Sequence, residues 1–259
     1  YLFKDIPAQA EERHPFYSKE FYKCRKPMSE DCLYLNIWTP ALRGCGSGSE
    51  IRTDSRCDGH GLPVMVWLYG GAFQTGSTCE KEFNGEQLAR QGVVVVSIAY
   101  RLNVFGFFAH AMLEKEAVDG RPCANFGFLD QRMGIQWVKD NIALFGGDPA
   151  NITVFGQSAG AASALAQSVS PMNDGLFQRV IMQSGGGTGL FNRHLWSLED
   201  AQRNGARFLK YLEVESIAEA RSVPATDLLE AAVTFPVCDW SGQGDDVVWA
   251  PMTNWIPCV

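Results

Sequence analysis

Ser158 is the residue in this sequence whose setting best fits nucleophilic chemistry. It lies in the segment Gly156–Gly160, which reads GQSAG, directly after the apolar run 152–155 and directly before a run of small residues. A serine at a sharp strand-to-helix turn presents its hydroxyl at the end of the strand. Glycines are needed on either side because a Cβ there would collide with neighbouring backbone. The pattern predicts a serine nucleophile, and the alternative is a structural serine in an ordinary turn.

Acyl transfer also needs hydrogen-bond donors for the negative charge that develops on the carbonyl oxygen. The residue after the nucleophile, Ala159, can supply one backbone N–H. A second donor is expected from a glycine-containing loop after an earlier strand, and Gly70-Gly71-Ala72 follows the apolar run that ends at Tyr69. The alternative for this loop is a simple tight turn.

Strand and helix patterns alternate along the chain and would position these residues. Five apolar or alternating runs predict strands at 33–39, 63–69, 93–100, 152–155 and 180–183. Apolar residues recur at helical spacing from Leu129 to Phe145, a small-residue helix is expected after Ser158, and helical spacing returns beyond Leu198. This alternation predicts an α/β fold with a doubly wound, largely parallel sheet.

The chain length and composition indicate a globular protein. We predict one α/β domain over residues 1–259, with an exposed loop insert at 43–61, where Gly, Ser and charged residues accumulate. The net charge of −7, with no basic run, argues against nucleic acid or an anionic membrane as partner. No apolar stretch reaches membrane-spanning length, and the first residues do not form a leader peptide, which suggests a mature or trimmed product.

Cysteine usage suggests an oxidising compartment. The even number and the absence of a CxxC pair favour disulfides over zinc, and no metal or cofactor is expected. Free buried thiols in a cytosolic enzyme are the alternative. Pairing of sequence neighbours is the simplest of many possible connectivities: 24–32, 45–57, 79–123 and 238–258. A sequon at Asn151-Ile152-Thr153 adds the prediction of a secreted glycoprotein, although it lies beside a predicted buried strand.

Six blocks of the sequence together resemble the type-B carboxylesterase and cholinesterase family. In chain order they are Glu30–Pro40, Trp67–Phe73, Tyr100–Phe107, Asn125–Gln131, Phe145–Pro149 and Ile152–Gly160. The resemblance extends from about Phe21 to Gly185. It implies an α/β-hydrolase fold and ester hydrolysis through an acyl-enzyme. Carried over by position, Ser158 is the nucleophile, and Gly71, Ala72 and Ala159 line the oxyanion hole.

Three departures from the family pattern bear on the substrate. Gln157 replaces the usual Glu before the nucleophile, which removes a negative charge beside the serine but leaves the reaction class unchanged. The segment Phe21–Met28 lacks the Trp with which cholinesterases bind choline, so a quaternary ammonium would lose its best cation–π partner. Ala72 stands where the family often has Gly, and its methyl group narrows the acyl side. A neutral, mainly apolar ester is therefore expected.

The base of the catalytic triad is not evident in this sequence. The family places its acid and then its His far downstream of the nucleophile, whereas the histidine after Ser158 is His194, which comes too early in the chain. The histidines before Ser158 are predicted to be loop residues: His14, His60 and His110. Asp130 and Asp148 are expected to hold loops together through hydrogen bonds.

The sequence is accordingly interpreted as the N-terminal half of such an enzyme. The His and the acid would come from beyond residue 259 or from a second chain. Cleavage, with the C-terminal remainder as a separate partner chain, or a fragment is favoured over a degenerate homologue, because the nucleophile turn and the oxyanion loop are both intact. Cys258 could tether the second piece through a disulfide.

The expected function is that of a serine carboxylesterase with a small-molecule ester substrate. Two alternatives are kept. One is a non-catalytic cholinesterase-like adhesion module, which would typically have lost the serine. The other is an interfacial lipase, for which the segment Phe21–Met28 looks short as a lid.

Overall fold

The computed structural model describes residues 27–40, 61–117, 123–185, 196–236, 255 and 257–258, and the backbone of residues 6–7. The insert predicted at 43–61 lies outside the described residues, except for Gly61. The same is true of His14, His60 and His194.

The described strands form two sheets. Two short strands, β1 (Ile6–Pro7) and β2 (Met28–Ser29), pair in parallel. The main sheet has the order β3-β5-β4-β6-β7, with only the β3–β5 pair antiparallel. Its strands are β3 (Leu35–Trp38), β4 (Leu62–Leu68), β5 (Val94–Ile98), β6 (Gly147–Gln157) and β7 (Arg179–Gln183).

Eight α-helices lie in the described part of the chain. They are α1 (Glu86–Ala89), α2 (Asn103–Phe107), α3 (Ala111–Glu116), α4 (Phe126–Asn141), α5 (Ala159–Val169), α6 (Leu198–Tyr211), α7 (Ile217–Ser222) and α8 (Ala225–Thr234). Single 3₁₀ turns occur at Lys81–Phe83, Ile142–Phe145 and Pro171–Asn173.

Helices cover both faces of the main sheet, as the alternation of side chains along β4 shows. Val64, Val66 and Leu68 pack into a core with the long helix α4. The intervening Trp67 packs into the other core, which includes Phe208 of α6. Successive side chains of a strand point to opposite faces, so the sheet is buried on both sides. The predicted α/β fold with a largely parallel sheet is confirmed.

The predicted elements are present. Their bounds differ from the predicted ones where strand pairing extends a strand or where a helix begins or ends at another residue. The run 152–155 is the apolar centre of a strand that begins at Gly147, because Leu62 of β4 pairs with Gly147 before the register shifts. The helix predicted from Leu129 begins at Phe126. It changes to a 3₁₀ turn at Ile142 and ends at Gly146, whose φ of 80° suits glycine.

Asp130 holds a loop as expected, whereas Asp148 lies within β6. Asp130 accepts hydrogen bonds from the backbone N–H of Arg101 at 3.0 Å and from its guanidinium at 2.8 Å. This bidentate pair joins α4 to the end of β5. Asp148 accepts from the backbone N–H of Ala150 at 2.8 Å, a bond between two residues of the same strand.

The predicted pairing of neighbouring cysteines is wrong for three of its four pairs. Cys32, Cys123 and Cys258 are free thiols, which excludes 24–32, 79–123 and 238–258. Cys79 does take part in a disulfide bond. Proximity in sequence does not decide which cysteines pair here. Cys32 and Cys258 are both buried, and the packing of the protein interior determines which groups each thiol can contact. The pair 45–57 lies outside the described residues.

His110 lies in the loop before α3, as predicted, and caps that helix. Its Nδ1 accepts the backbone N–H of Met112 at 3.1 Å at the start of α3. Only a neutral imidazole can accept this bond. Burial lowers the pKa of His110 below its usual value, so the folded state binds a proton less readily than the unfolded chain.

This cap should make stability depend on pH. Because the pKa is lowered on folding, its contribution is complete above the unfolded pKa of about 6.5 and falls as the pH drops through that value. His110→Asn keeps an N-cap acceptor that does not titrate. Between about pH 7.5 and about pH 5.5, we expect the wild type to lose up to about 1 kcal/mol more unfolding free energy than the variant. Urea unfolding at both pH values measures this, and equal losses would contradict it.

Candidate active site

Ser158 occupies a strained turn between β6 and α5. Its φ of 55° and ψ of −123° lie in a region that L-residues rarely adopt. Two backbone hydrogen bonds hold it there: its N–H donates to the carbonyl of Gln183 at 2.9 Å, and its carbonyl accepts from Ala162 at 3.0 Å. The turn thus connects β7 to the first turn of α5 through the serine itself.

Glycines allow the chain to pack closely around this turn. A Cβ at Gly156 would lie 2.4 Å from the carbonyl of Gly160, and one at Gly160 would lie 2.0 Å from the carbonyl oxygen of Leu68. A Cβ at Gly185 would lie 2.4 Å from the carbonyl oxygen of Ser158. None of these distances is possible for a real side chain. The sequence alone predicted that glycine is required at positions 156 and 160, but not at Gly185.

The glycine loop after β4 lies directly against the serine. A Cβ at Gly70 would stand 3.1 Å from the Cβ of Ser158 and 2.7 Å from the carbonyl oxygen of Gln157. Folding therefore brings together the two segments that sequence analysis selected separately. The loop then turns through Gly71, Ala72 and Phe73, whose φ values are 107°, 53° and 63°.

Several hydrogen bonds fix the far side of this loop. The N–H groups of Gln74 and Thr75 donate to the carbonyl of Gly71 at 2.9 and 3.0 Å. The carbonyl of Phe73 accepts from the backbone of Asn103 at 2.7 Å, and the amide of Gln74 donates to the carbonyl of Trp255 at 2.7 Å. The loop is therefore held by two segments that are distant in sequence, one at Asn103 and the other at Trp255.

An aromatic cluster lies behind the loop. The ring of Phe73 is 1% exposed and packs edge-on against Phe107 and Phe128, with centroids 5.1 and 5.8 Å away. Phe107 and Phe128 also contact each other edge-on. Edge-to-face packing of this kind adds to the stabilisation from burial alone.

Sequence analysis missed a buried tyrosine pair below the loop. Tyr69 and Tyr100 stand at the ends of two neighbouring strands, are fully buried, and stack with centroids 4.4 Å apart. Burial raises the pKa of both phenols, so both keep their protons. The signal in the sequence was the tyrosine that ends each of two apolar runs.

The other candidate groups in the described part of the chain do not join Ser158. Gln157 is exposed and neutral, with its side-chain oxygen turned toward Gly70. His110 is engaged in its cap. Burial, followed by the charge of Asp130, raises the pKa of Cys32 to about 12, which makes it a poor nucleophile.

The described residues contain no group of three or more His, Cys, Asp or Glu side chains arranged to hold a metal ion. Among them, no helix combines the length and apolar character needed to cross a membrane.

Comparisons with known proteins identify one family. A family model described as "Carboxylesterase family" matches residues 5–258. The chain is 41% identical over 207 residues to a para-nitrobenzyl esterase of Bacillus subtilis (strain 168), and 48% identical over 163 residues to a bile salt-activated lipase of Mus musculus. The first match covers 79% of this chain and the second 60%.

A solved structure of a thermophilic PNB esterase superposes with a TM-score of 0.71 at 35% identity, covering 89% of this chain. The α/β-hydrolase fold is thereby shown. The chain spans only part of the length of these proteins: 37% of the Bacillus protein, 24% of the mouse protein and 42% of the solved structure.

Proposed function

The chain belongs to the carboxylesterase family, and we propose that it carries the nucleophile of a serine carboxylic-ester hydrolase. One observation supports the proposal above the others. A serine in a strained turn at the start of a helix lies beside a glycine loop, with the Gly70 backbone near its Cβ. A chain that only bound a partner would have no need for this costly conformation.

In the proposed reaction, Ser158 Oγ attacks the ester carbonyl as a histidine accepts its proton. The carbonyl oxygen becomes an oxyanion, which the backbone N–H groups of Gly71, Ala72 and Ala159 stabilise. Collapse of this intermediate expels the alcohol, which takes up the proton, and leaves an acyl-enzyme. Water, deprotonated by the same histidine, then attacks the acyl carbonyl, and the histidine returns the proton to Ser158 Oγ as the acid leaves.

The histidine and its orienting acid are proposed to come from the portion of the family's length that this sequence does not span. We propose the C-terminal remainder of the enzyme, continuous with this chain or separate from it, as that source. A single catalytic domain that includes residues 1–259 follows from the same proposal.

A neutral, mainly apolar ester is the proposed substrate class. Gln157 places no charge beside Ser158, and the rings of Phe73, Phe107 and Phe128 form an apolar support behind the oxyanion loop. Esterase and lipase relatives support the same class. A cationic alcohol group would find no negative charge at position 157.

Location in the secretory pathway is a further proposal, supported by the disulfide at Cys79. Glycosylation at Asn151 has less support. This residue lies within β6, and its side-chain oxygen accepts a hydrogen bond from Arg179 at 2.7 Å.

Covalent labelling tests the proposed function without requiring knowledge of the natural substrate. The folded full-length protein, treated with a p-nitrophenyl phosphonate, should gain one phosphonyl group, and peptide mapping should place it on Ser158. Heat-unfolded protein is the control and should take up none. A folded protein that stays unlabelled at Ser158 would favour the non-catalytic binding module.

An interfacial lipase is the second candidate, favoured by the 48% identity to bile salt-activated lipase. The two candidates share Ser158 and differ in how the rate depends on substrate aggregation. A steep rise in rate above the critical micellar concentration of a p-nitrophenyl ester would select the lipase. A rate that saturates below that concentration would select the carboxylesterase.

A further inference from the structure

We propose that Tyr100, acting through Tyr69 and supported by Ser163, is a positioning residue that holds the oxyanion loop at its place beside Ser158. This inference rests on the proposed function, because the loop matters only if Ser158 reacts. Tyr100 touches neither the substrate nor the serine; it acts through the backbone of the loop.

The tyrosine pair fixes the peptide unit from which the loop starts. The hydroxyl of Tyr100 donates to the carbonyl of Tyr69 at 2.7 Å, and the hydroxyl of Tyr69 donates to the carbonyl of Tyr100 at 3.1 Å. The carbonyl of Tyr69 belongs to the same planar peptide unit as the N–H of Gly70. Fixing this carbonyl therefore fixes the direction in which the chain enters the loop beside Ser158.

Ser163 connects the pair to the helix that follows the serine. Ser163, on α5, lies near enough to the Tyr100 hydroxyl to lower its pKa against the effect of burial, and Ser163 Oγ accepts from Gln131 Nε2 at 3.0 Å. Because Tyr100 donates its single hydroxyl proton to Tyr69, Ser163 can support Tyr100 only as a donor. In the proposed arrangement, the Ser163 hydroxyl makes this donation and links α5 to the loop.

The chain of buried bonds continues away from the site. Gln167 Nε2 donates to Gln131 Oε1 at 3.1 Å, and Asn173 Nδ2 donates to Gln167 Oε1 at 2.7 Å. Tyr100, Gln131 and Ser163 are each fully buried. A buried polar group without its partner is costly, so such a network specifies one arrangement of the elements that it joins.

Three variants of the full-length protein test the inference: Tyr100→Phe, Ser163→Ala and the double variant. Tyr100→Phe keeps the stacked ring and removes the shared hydroxyl. We expect kcat for p-nitrophenyl butyrate to fall about 10-fold with KM changed less than about twofold, because a small displacement of a reacting group costs rate more than binding. Ser163→Ala should lower kcat about threefold. The double variant should match Tyr100→Phe, since Ser163 acts only through Tyr100.

Two control variants separate positioning from general loss of stability. Tyr211→Phe makes the same chemical change on α6, where the hydroxyl contacts only Thr234 Oγ1 at 3.2 Å among the described partners. Ile135→Val removes a methylene from a fully buried side chain in the core on the opposite face of the sheet. Both should keep kcat within about twofold of the wild type at a temperature where all the proteins are folded.

The possible results are distinct. A kcat of Tyr100→Phe equal to that of Ile135→Val, an effect confined to KM, or independent losses that multiply in the double variant would each overturn the inference and leave the proposed function standing. A folded wild type that hydrolyses no ester and takes no phosphonyl label on Ser158 would overturn the proposed function, and the inference with it.

Discussion

Replacing Ser158 by alanine should lower kcat for p-nitrophenyl butyrate by about five orders of magnitude in the full-length protein, the scale on which serine hydrolases depend on their nucleophile. The variant should fold, because the hydroxyl has no structural role in the turn as described. Its stability should change by less than about 1 kcal/mol, since the backbone strain at φ 55° is the same for serine and alanine. The measurement is kcat on purified protein, with thermal unfolding to confirm folding.

Ser168→Ala is the matched control. Ser168 stands on the same helix, α5, is exposed, and donates only to the carbonyl of Leu165 at 2.7 Å among its described contacts. It should retain the full rate. If Ser158→Ala kept more than about one per cent of wild-type activity while folded, Ser158 could not be the nucleophile.

Gly71→Ala should have the second largest effect, on both rate and stability. With φ at 107°, an added Cβ would lie 2.1 Å from the carbonyl oxygen of Thr75, so the loop must move. Displacing one oxyanion donor typically costs about 100- to 1,000-fold in kcat. The clash and the backbone strain together should cost about 2–4 kcal/mol of unfolding free energy. Steady-state kinetics and urea unfolding measure the two effects separately.

Gly92→Ala isolates the contribution of the clash. Gly92 has a similar φ of 94°, but an added Cβ would meet nothing within 4 Å. It should therefore lose about 1–2 kcal/mol from the backbone strain and keep its kcat. If the two variants reduced kcat equally, the effect of Gly71→Ala would come from reduced stability and not from the oxyanion loop.

Local sequence patterns predicted the architecture well because they record which face each segment buries. Apolar runs marked all five strands that the structure describes in the main sheet, and helical spacing marked α4 and the helices beyond Leu198. The bounds were less accurate: β6 begins at Gly147 because β4 offers it a partner there. Such pairing depends on a segment distant in sequence, which a local pattern cannot contain.

The cysteines and His110 show what local patterns do not contain. Proximity in sequence suggested neighbour pairs, whereas Cys32, Cys123 and Cys258 are free. His110 lies in a loop as predicted, but its capping role depends on the direction of one ring nitrogen toward Met112. In both cases, the relevant contact is set by how the chain is packed and not by residue type.

For the site, the sequence alone identified Ser158 as the candidate nucleophile, because the residues that force its turn are its immediate neighbours. It also identified the glycine loop, but not where that loop lies. Only the tertiary structure brings Gly70 against Ser158 and joins Tyr69 to Tyr100 beneath them. The physical reason is distance along the chain. A strained turn is determined by adjacent residues, whereas the position of one loop relative to another depends on strands and helices that must first pack together.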